Sequence, residues 1–146
     1  MSYEVKILVI TPQSSDYSKE LELRNSVLWK TSGLNIYDSP LNESEDYHIV
    51  AKKLNELVGC LLLTKINDTT LKMREVAVQQ TMQRLGIGRM LTAFSENFAR
   101  QNGFKKIIIL NARLNVVPFY EKQGYITVGE QYMEFGIPRR KMEKIL

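Results

Sequence analysis

The sequence predicts an α/β fold in which a mixed sheet of six to seven strands carries helices on both faces. Three observations predict it: several runs in which apolar residues alternate with period two, one long segment with the helical period of 3.6, and the segment Lys106 to Leu110, which is apolar from Ile107 onward. The chain has 146 residues, the usual size of one domain, and we predict that residues 1–146 form a single domain.

The first part of the chain is predicted to be one strand and one helix. Apolar residues alternate from Tyr3 to Ile10, and Pro12 ends that strand. Asp16 or Ser18 can cap a helix that runs to about Lys30. The expected buried stripe of this helix comprises Leu21, Leu23, Val27 and Leu28.

The middle of the chain is predicted to be three strands and a helix. Tyr47 to Lys53 and Leu57 to Lys65 suit a hairpin, and Lys72 to Val78 is the next strand. From Gly86 the period changes to 3.6, and Asn102-Gly103 ends the resulting helix. The apolar face of that helix comprises Ile87, Met90, Leu91, Phe94 and Phe98.

The last third predicts a strand, a helix and two further strands. Lys106 to Leu110 is typical of a central strand that is covered on both faces. Asn115 to Gln123 is a short helix closed by Gly124, and two strand candidates flank Gly136-Ile137-Pro138.

Composition and charge argue against several classes of protein. The longest apolar runs are far shorter than the roughly 20 residues of a membrane span, and the N-terminus lacks the features of a secretory signal, so we expect a cytoplasmic protein. The net charge is +4, but Lys and Arg are scattered, which does not favour nucleic-acid binding as the main role. A basic nucleic-acid binder is kept as an alternative that predicts strongly salt-dependent binding.

Two residue types that are often reactive occur once each. Cys60 lies in an apolar run without a neighbouring base, which indicates a buried structural thiol. His48 falls in a predicted strand and is interpreted as a structural residue. We expect no metal site.

The segment between Lys30 and Lys52 contains no Lys or Arg. Thr31 to Ser44 is predicted to be mostly loop or short helix because it holds Gly33 and Pro40. Four carboxylates fall in the basic-free segment: Asp38, Glu43, Glu45 and Asp46. They are interpreted either as a solvated loop or as a negative field that attracts a cationic amine.

The chemistry is predicted to lie where the strand Arg74 to Val78 leads through a short link into Gln83 to Arg89. A strand that enters a glycine-bearing turn and then a helix aims several backbone N–H groups and the positive end of the helix dipole at one point, which suits an anion. Gly86 and Gly88 allow the chain to approach a bulky pyrophosphate, and the two arginines of the turn add charge.

Two other phosphate-binding motifs do not fit this turn. A P-loop ends in Gly-Lys-Ser/Thr, whereas Gly88 is followed by Arg89 and Met90. A dinucleotide fingerprint needs a third glycine, where this chain has Leu91.

Several motifs resemble the GNAT superfamily of acetyl-CoA-dependent N-acetyltransferases. Gln83-x-x-Gly86-x-Gly88 resembles the pyrophosphate-binding motif of that family, and Pro118 to Tyr125 resembles its Phe-Tyr-x-x-x-Gly-Phe/Tyr block. Gly136-Ile137-Pro138 with Met142-Glu143-Lys144 is similar to the ending of one subgroup, and Leu23-Arg24 fits its first helix. The resemblance spans nearly the whole chain and implies the GNAT acyl-CoA N-acyltransferase fold.

The resemblance also implies a site for acetyl-CoA (CoA) that is built largely from backbone. In the family, the strand that matches Arg74 to Val78 bulges and parts from the strand that matches Lys106 to Leu110, and the pantetheine arm lies in the gap. The implied cofactor-binding residues are Val76, Ala77, Val78, Gln83, Arg84, Leu85, Gly86, Ile87, Gly88, Arg89, Asn111 and Tyr120.

The family's catalytic roles carry over to Val76 and Tyr120, and Glu75 is the carboxylate nearest in sequence to the expected reaction centre. The Val76 N–H is implied as a donor to the thioester carbonyl, where it would stabilise the oxyanion. Tyr120 is implied as the acid that protonates the departing thiolate, with a packing role as the alternative. Glu75 is a candidate general base, with a chain of waters as the alternative. Strand alternation predicts that Arg74 and Glu75 lie on opposite faces, so that only one points into the cleft.

Two positions depart from the family pattern. Many members have Asn where this chain has Arg113, so the resemblance does not imply the cofactor contact that the family makes at this position. Relatives with the Gly-Ile-Pro ending have His where this chain has Arg139, which alters the acceptor pocket.

We therefore predict an N-acetyltransferase that moves acetyl from acetyl-CoA to a primary amine by direct attack in a ternary complex. An acetyl-enzyme is not expected, because neither Cys60 nor any Ser-His pair is suitably placed. The alternative is a non-catalytic GNAT-like module that binds acyl-CoA as a sensor or partner. The acceptor, a small-molecule or peptide amine, is not readable, and a homodimer is left open because family members often dimerise.

Overall fold

The protein, described here by a computed structural model of residues 4–146, is built on one seven-stranded mixed sheet. The elements run in chain order as β1 Val5–Ile10, α1 Tyr17–Arg24, β2 Tyr47–Lys53, β3 Glu56–Lys65, β4 Thr70–Val78, α2 Ile87–Gln101, β5 Lys106–Arg113, α3 Val117–Glu121, β6 Ile126–Glu134 and β7 Ile137–Ile145. The sheet order is β1-β2-β3-β4-β5-β7-β6, in which β4 and β5 pair in parallel and the other neighbours are antiparallel. The predicted fold class is confirmed. The predicted start of β1 at Tyr3 lies outside the described residues.

Different helices cover the two faces of the sheet. Alternate residues of β3 point to opposite sides, so that Leu61 and Leu63 pack beneath α2, whereas Cys60 lies on the α1 side. Leu91 of α2 and Tyr120 of α3 belong to the first core cluster. The second core cluster is smaller and comprises Ile10, Leu23, Val50, Leu57, Cys60 and Ala77. The prediction of helices on both faces is therefore confirmed.

The first helical segment changes its winding part of the way along. The predicted helical segment to about Lys30 is found, but only its first part is an α-helix: this ends at Arg24 and is followed by a π-helix over Asn25–Trp29 and a 3-10 turn over Lys30–Ser32. The buried side-chain oxygen of Asn25 accepts a hydrogen bond from the backbone N–H of Ile36 at 2.9 Å, which fixes the following loop against the helix. π-helical turns are rare and are frequently found at functional sites.

The strand β5 is covered on both faces over only part of its length. Ile107, Ile108 and Ile109 are buried, whereas Leu110 is 40% exposed. The register with β7 shifts between Ile109 and Ala112, and β4 no longer pairs with β5 at this level. Of the apolar run that was predicted to be covered on both faces, Ile107 to Ile109 are therefore covered and Leu110 is not; it lies where β4 no longer pairs with β5.

No helix within residues 4–146 combines the length and the apolar character that crossing a membrane requires.

Candidate active site

A cleft opens where β4 and β5 part. The two strands pair from Thr70 with Lys106 to Lys72 with Ile108, and the register goes no further within the described chain. Beyond Lys72, the edge of β4 that faces β5 has no strand partner. Backbone N–H and C=O groups are obligatory hydrogen-bonding groups, so an open edge inside a sheet is a binding surface for an extended ligand.

A bulge in β4 accompanies this separation. Arg74 pairs with Leu62 of β3 and Ala77 pairs with Cys60, so Glu75 and Val76 together stand opposite one residue of β3. Glu75 has a φ of 55°, in the left-handed region. Val76 and Val78 are partly buried against the main core, and Ala77 is 1% exposed on the α1 side.

The bulge brings Arg74 and Glu75 to the same side of the sheet, and the prediction of opposite faces is wrong. Glu75 Oε1 lies 2.9 Å from Arg24 Nη2, and Arg24 also binds Glu43. Arg74 Nη2 lies 3.8 Å from the same Glu43 carboxylate. The extra residue of a bulge interrupts the alternation on which the prediction depended.

The turn between β4 and α2 presents free backbone amides. Gly86 has a φ of 86°, and its Cβ position faces open space. The first helical hydrogen bond joins the Met90 N–H to the Gly86 carbonyl, so the preceding amides of Ile87, Gly88 and Arg89 have no acceptor within the helix. These amides and the helix dipole favour an anion at this point.

The side chains of the turn differ in their exposure. Ile87 is buried at 2% exposure, whereas Leu85 is 65% exposed. Arg84 and Arg89 are exposed, and neither lies within 4.0 Å of a carboxylate in residues 4–146. Both guanidinium groups are thus available to a bound anion.

Two predicted cofactor residues of the turn also have structural tasks. Gln83 Nε2 donates to the Val78 carbonyl at 3.0 Å and so ties the turn to the end of β4. A Cβ on Gly88 would lie 3.2 Å from Phe119 Cζ, so Gly88 allows α2 to pack against α3. Gly86 therefore faces open space, while Gly88 serves packing within the protein.

Tyr120 is 6% exposed and packs edge-to-face on Phe119 and Tyr125, with ring centroids 5.0 and 5.7 Å away. Burial raises the pKa of Tyr120 to about 12. The phenol therefore keeps its proton throughout the neutral range.

The far wall of the cleft is formed by the bulged part of β5. The carbonyl of Asn111, whose side chain is exposed, accepts from Arg139 Nη1 at 3.0 Å, and Arg139 Nε lies 3.0 Å from Glu134 Oε2. Arg113 Nη2 donates to Ser32 Oγ at 3.2 Å. Of the two departures from the family pattern, Arg139 thus supports the β5 backbone, and Arg113 contacts the first helical segment.

A buried ion cluster lies between α1 and the bulge, and Arg24 is at its centre. The guanidinium of Arg24 is fully buried and binds Glu43 through two bonds of 2.8 and 2.6 Å, Glu20 at 2.9 Å and Glu75 at 2.9 Å. Trp29 Nε1 also donates to Glu75 Oε1, at 2.8 Å. Breaking a buried pair by removing one partner costs about 3–5 kcal/mol, so Arg24 and these carboxylates depend on one another.

His48 completes the cluster on the side away from the cleft. Its Nδ1 lies 2.9 Å from Glu20 Oε1, and its Nε2 lies 2.9 Å from the Glu43 carbonyl oxygen. Because both neighbours are acceptors, the ring carries both protons. Burial opposes the charged form, but the hydrogen bond and charge of Glu20 outweigh it and raise the pKa of His48 above its ordinary value of 6.5. His48 is fully buried, in agreement with the structural role that we predicted.

The side chains of Glu20, Glu43 and His48 lie close enough together to be considered as metal ligands. Arg24 already occupies the space between the two carboxylates, and both nitrogens of His48 are hydrogen-bonded. A cation could enter only if Arg24 left, so these residues do not fit a metal centre.

Part of the acidic segment is neutralised by arginines of the protein. Glu43 is 5% exposed and is bound by Arg24 and by the Tyr17 hydroxyl, at 2.8 Å in the latter case. Asp46 is bound by Arg74 at 2.8 Å. Two of the four carboxylates are thus neutralised within the protein, which weakens the predicted negative field, and Asp38 and Glu45 are left exposed.

The cluster residues Arg24, Glu20 and Trp29 were missed as site residues by the sequence analysis. A signal was present, because Arg24 follows Leu21 by three residues and precedes Leu28 by four, which places it on the predicted apolar stripe of the helix. A charge on a buried stripe needs buried partners of opposite sign.

Comparison with known proteins finds an acetyltransferase family model and related N-acetyltransferases. A family model described as an acetyltransferase (GNAT) domain matches residues 28–146. A Bacillus subtilis relative, the uncharacterized N-acetyltransferase YjcF, is 31% identical over 103 residues, which cover 70% of this chain and 72% of that protein.

Solved structures show the same fold. Escherichia coli ElaA superposes with a TM-score of 0.82 at 21% identity, over 98% of this chain and 99% of that one. A GNAT family acetyltransferase from Elizabethkingia anophelis with acetyl-CoA bound superposes with a TM-score of 0.70 at 20% identity, over 97% of this chain and 98% of that one. At these identities the likeness shows the fold alone.

The raised pKa of His48 predicts how the stability of the protein depends on pH. A group whose pKa is raised on folding stabilises the protein fully below its unfolded pKa, and the contribution is lost as the pH rises through the folded pKa. We expect the wild-type free energy of unfolding to fall above about pH 6.5, by no more than about 1.4 kcal/mol per pH unit from this group. Urea unfolding between pH 6 and 8.5 measures it.

The variant His48→Gln is the control, since the chain has no other histidine. It should be less stable than wild type at pH 6 and show a flatter dependence above that pH. An identical pH dependence in variant and wild type would contradict the assignment of a charged His48.

Proposed function

The chain belongs to the GNAT acetyltransferase family, and on that premise we propose that it transfers the acetyl group of acetyl-CoA to a primary amine by direct attack in a ternary complex. One arrangement carries the proposal: β4 parts from β5 after Lys72 beside a glycine turn whose amides are free. The turn suits the diphosphate of CoA, and the gap suits its extended pantetheine arm.

The site activates the thioester through the backbone. Val76 follows the bulged residue Glu75 and lies at the open edge of β4. Its N–H would donate to the thioester carbonyl and would strengthen that bond as the oxyanion develops. A backbone donor of this kind is held by the sheet and needs little reorganisation during the reaction.

Tyr120 is proposed as the acid that protonates the departing thiolate. Its raised pKa keeps the hydroxyl protonated, and its hydroxyl makes no hydrogen bond to another side chain of residues 4–146, so that it is available to a ligand. The alternative is that Tyr120 only packs against Phe119 and Tyr125.

The base that deprotonates the amine is proposed to be Glu75, acting directly or through water. Three N–H donors from Arg24 and Trp29 converge on Glu75 Oε1. Oε2 has no side-chain donor among the described residues, and the side chain is 16% exposed. One oxygen of this carboxylate is therefore left for a proton.

Direct transfer is supported by the state of the single cysteine. Cys60 is fully buried, and burial raises the pKa of its thiol well above the ordinary value, so it is a poor nucleophile. The acceptor is a small-molecule or peptide amine. Residence in the cytoplasm and assembly as a homodimer stay predictions.

The central test is cofactor binding and turnover. We expect acetyl-CoA to bind in calorimetry, and a panel of amines assayed for CoA release to contain at least one acceptor. A Gly86→Val variant, which places a β-branched side chain at a φ of 86°, should lose most of the CoA affinity. Wild-type affinity in that variant, or no affinity in the wild type, would contradict the proposed cofactor site.

Tyr120→Phe tests the acid. It keeps the ring and removes the hydroxyl, and we expect kcat to fall by about 10²-fold or more with the affinity for CoA unchanged. Tyr125→Phe is the matched control, because it removes the hydroxyl of a second buried tyrosine whose ring packs edge-to-face on Tyr120. Full activity of Tyr120→Phe would favour packing as its role, and with it the non-catalytic acyl-CoA-binding alternative.

Glu75→Gln tests the base. If Glu75 accepts the proton, kcat should fall by about 10²-fold or more, and the acid limb of the pH–kcat profile should be lost. Glu45→Gln, in an exposed part of the acidic segment, is the control and should behave as wild type. An unchanged profile in Glu75→Gln would remove Glu75 as the base and leave the chain of waters.

A further inference from the structure

We propose that Arg24 is a positioning residue for acetyl transfer: by holding Glu75 it fixes the bulge of β4 and thereby sets the direction of the Val76 N–H. The inference rests on the proposed function, in which that N–H meets the thioester carbonyl. Arg24 itself is fully buried and is assigned no contact with either substrate.

The conformation of Glu75 is one that the chain would leave if nothing held it. A φ of 55° is unfavourable for a residue with a Cβ, and glycine is the usual choice at such a position. Non-glycine residues in sparsely populated regions persist only where the surroundings determine them. In β4, the φ of Glu75 decides how the next peptide unit, which contains the Val76 N–H, is turned.

The surroundings hold Glu75 through a single oxygen. Arg24 Nη2 and Nε lie 2.9 and 3.3 Å from Glu75 Oε1, and Trp29 Nε1 lies 2.8 Å from the same atom. The three donors come from two residues of the first helical segment. The change to a π-helix after Arg24 accompanies the placement of Trp29 beside Glu75.

Arg24 is itself immobilised by two further carboxylates. Its Nη1 donates to Glu20 and Glu43, its Nη2 donates to Glu43 and Glu75, and its Nε donates to Glu75, so all five N–H groups are used. The two bonds to Glu43 form the planar fork that arginine makes and lysine cannot. The bulge is therefore tied to α1 and to the loop that carries Glu43.

The experiment compares Arg24→Lys and Trp29→Phe with a matched control, Arg74→Lys. Lysine at position 24 keeps the charge but offers three donors in place of five and cannot form the planar fork on Glu43, and Trp29→Phe removes one donor to Glu75. Arg74 contacts Asp46 and Glu43 on the same side of the sheet but forms no hydrogen bond or ion pair with Glu75 within residues 4–146, so its variant tests general damage to the region.

We expect kcat to fall by about tenfold or more in Arg24→Lys and by a smaller factor in Trp29→Phe. The reason is that a Val76 N–H turned away from the thioester carbonyl stabilises the oxyanion of the transition state less well. The dissociation constant of CoA should stay within about twofold of wild type, since the glycine turn is untouched. Arg74→Lys should keep kcat within about twofold. The ¹⁵N–¹H signal of Val76 in the free protein should shift in the first two variants and not in the control.

A second substitution distinguishes positioning from stability. Glycine adopts positive φ readily, so Glu75→Gly removes both the strain and the group that Arg24 holds. In that background, adding Arg24→Lys should change kcat by no more than about twofold. A full tenfold effect of Arg24→Lys in the Glu75→Gly background would overturn the proposal, since Arg24 would then act by another route.

The remaining outcomes are also decisive. If Arg24→Lys does not fold, Trp29→Phe decides, and an unshifted Val76 signal with wild-type kcat in that variant overturns the proposal. If the wild type neither binds acetyl-CoA nor releases CoA, the proposed function has failed. The Val76 signal in the free variants still reports whether Arg24 and Trp29 set the bulge.

Discussion

The separation of β4 from β5 is the constraint on which the rest of this structure depends. Parallel strands that paired along their whole length would satisfy each other's backbone groups and leave nothing for a ligand. Pairing here ends at Lys72 and Ile108, and the bulge at Glu75 turns the second half of β4 away. The open edge is stabilised from the α1 side by the ion cluster around Arg24 and from the β7 side by the bond from Arg139 to the Asn111 carbonyl.

A site of this kind depends on backbone geometry more than on side-chain identity. The amides at the start of α2, the open edge of β4 and the Val76 N–H are all main-chain groups, and many sequences can present them. The side chains that must be specific are those that hold the backbone in place, and Arg24 with its three carboxylates is the clearest case in this protein.

Much of the fold could be predicted from local patterns. The period of 3.6 after Gly86 predicts α2, which runs over Ile87–Gln101, and the glycine turn before it lies where the motif predicts. Residues whose contacts are distant in sequence could not be predicted in this way. Arg24 and Glu75 are 51 residues apart, and no local period connects them. The assumption of regular alternation also failed at Arg74 and Glu75, because a bulge is a property of the pairing with β3 and not of β4 alone.

The sequence by itself determined the order of strands and helices, the glycine turn before α2 and the family resemblance, because each depends on residues close together along the chain. Only the tertiary structure decided how the cleft is held open, which charges of the acidic segment are neutralised and which face Glu75 occupies. Those features depend on ion pairs and register between elements that meet only when the sheet has formed, and burial makes those pairs obligatory.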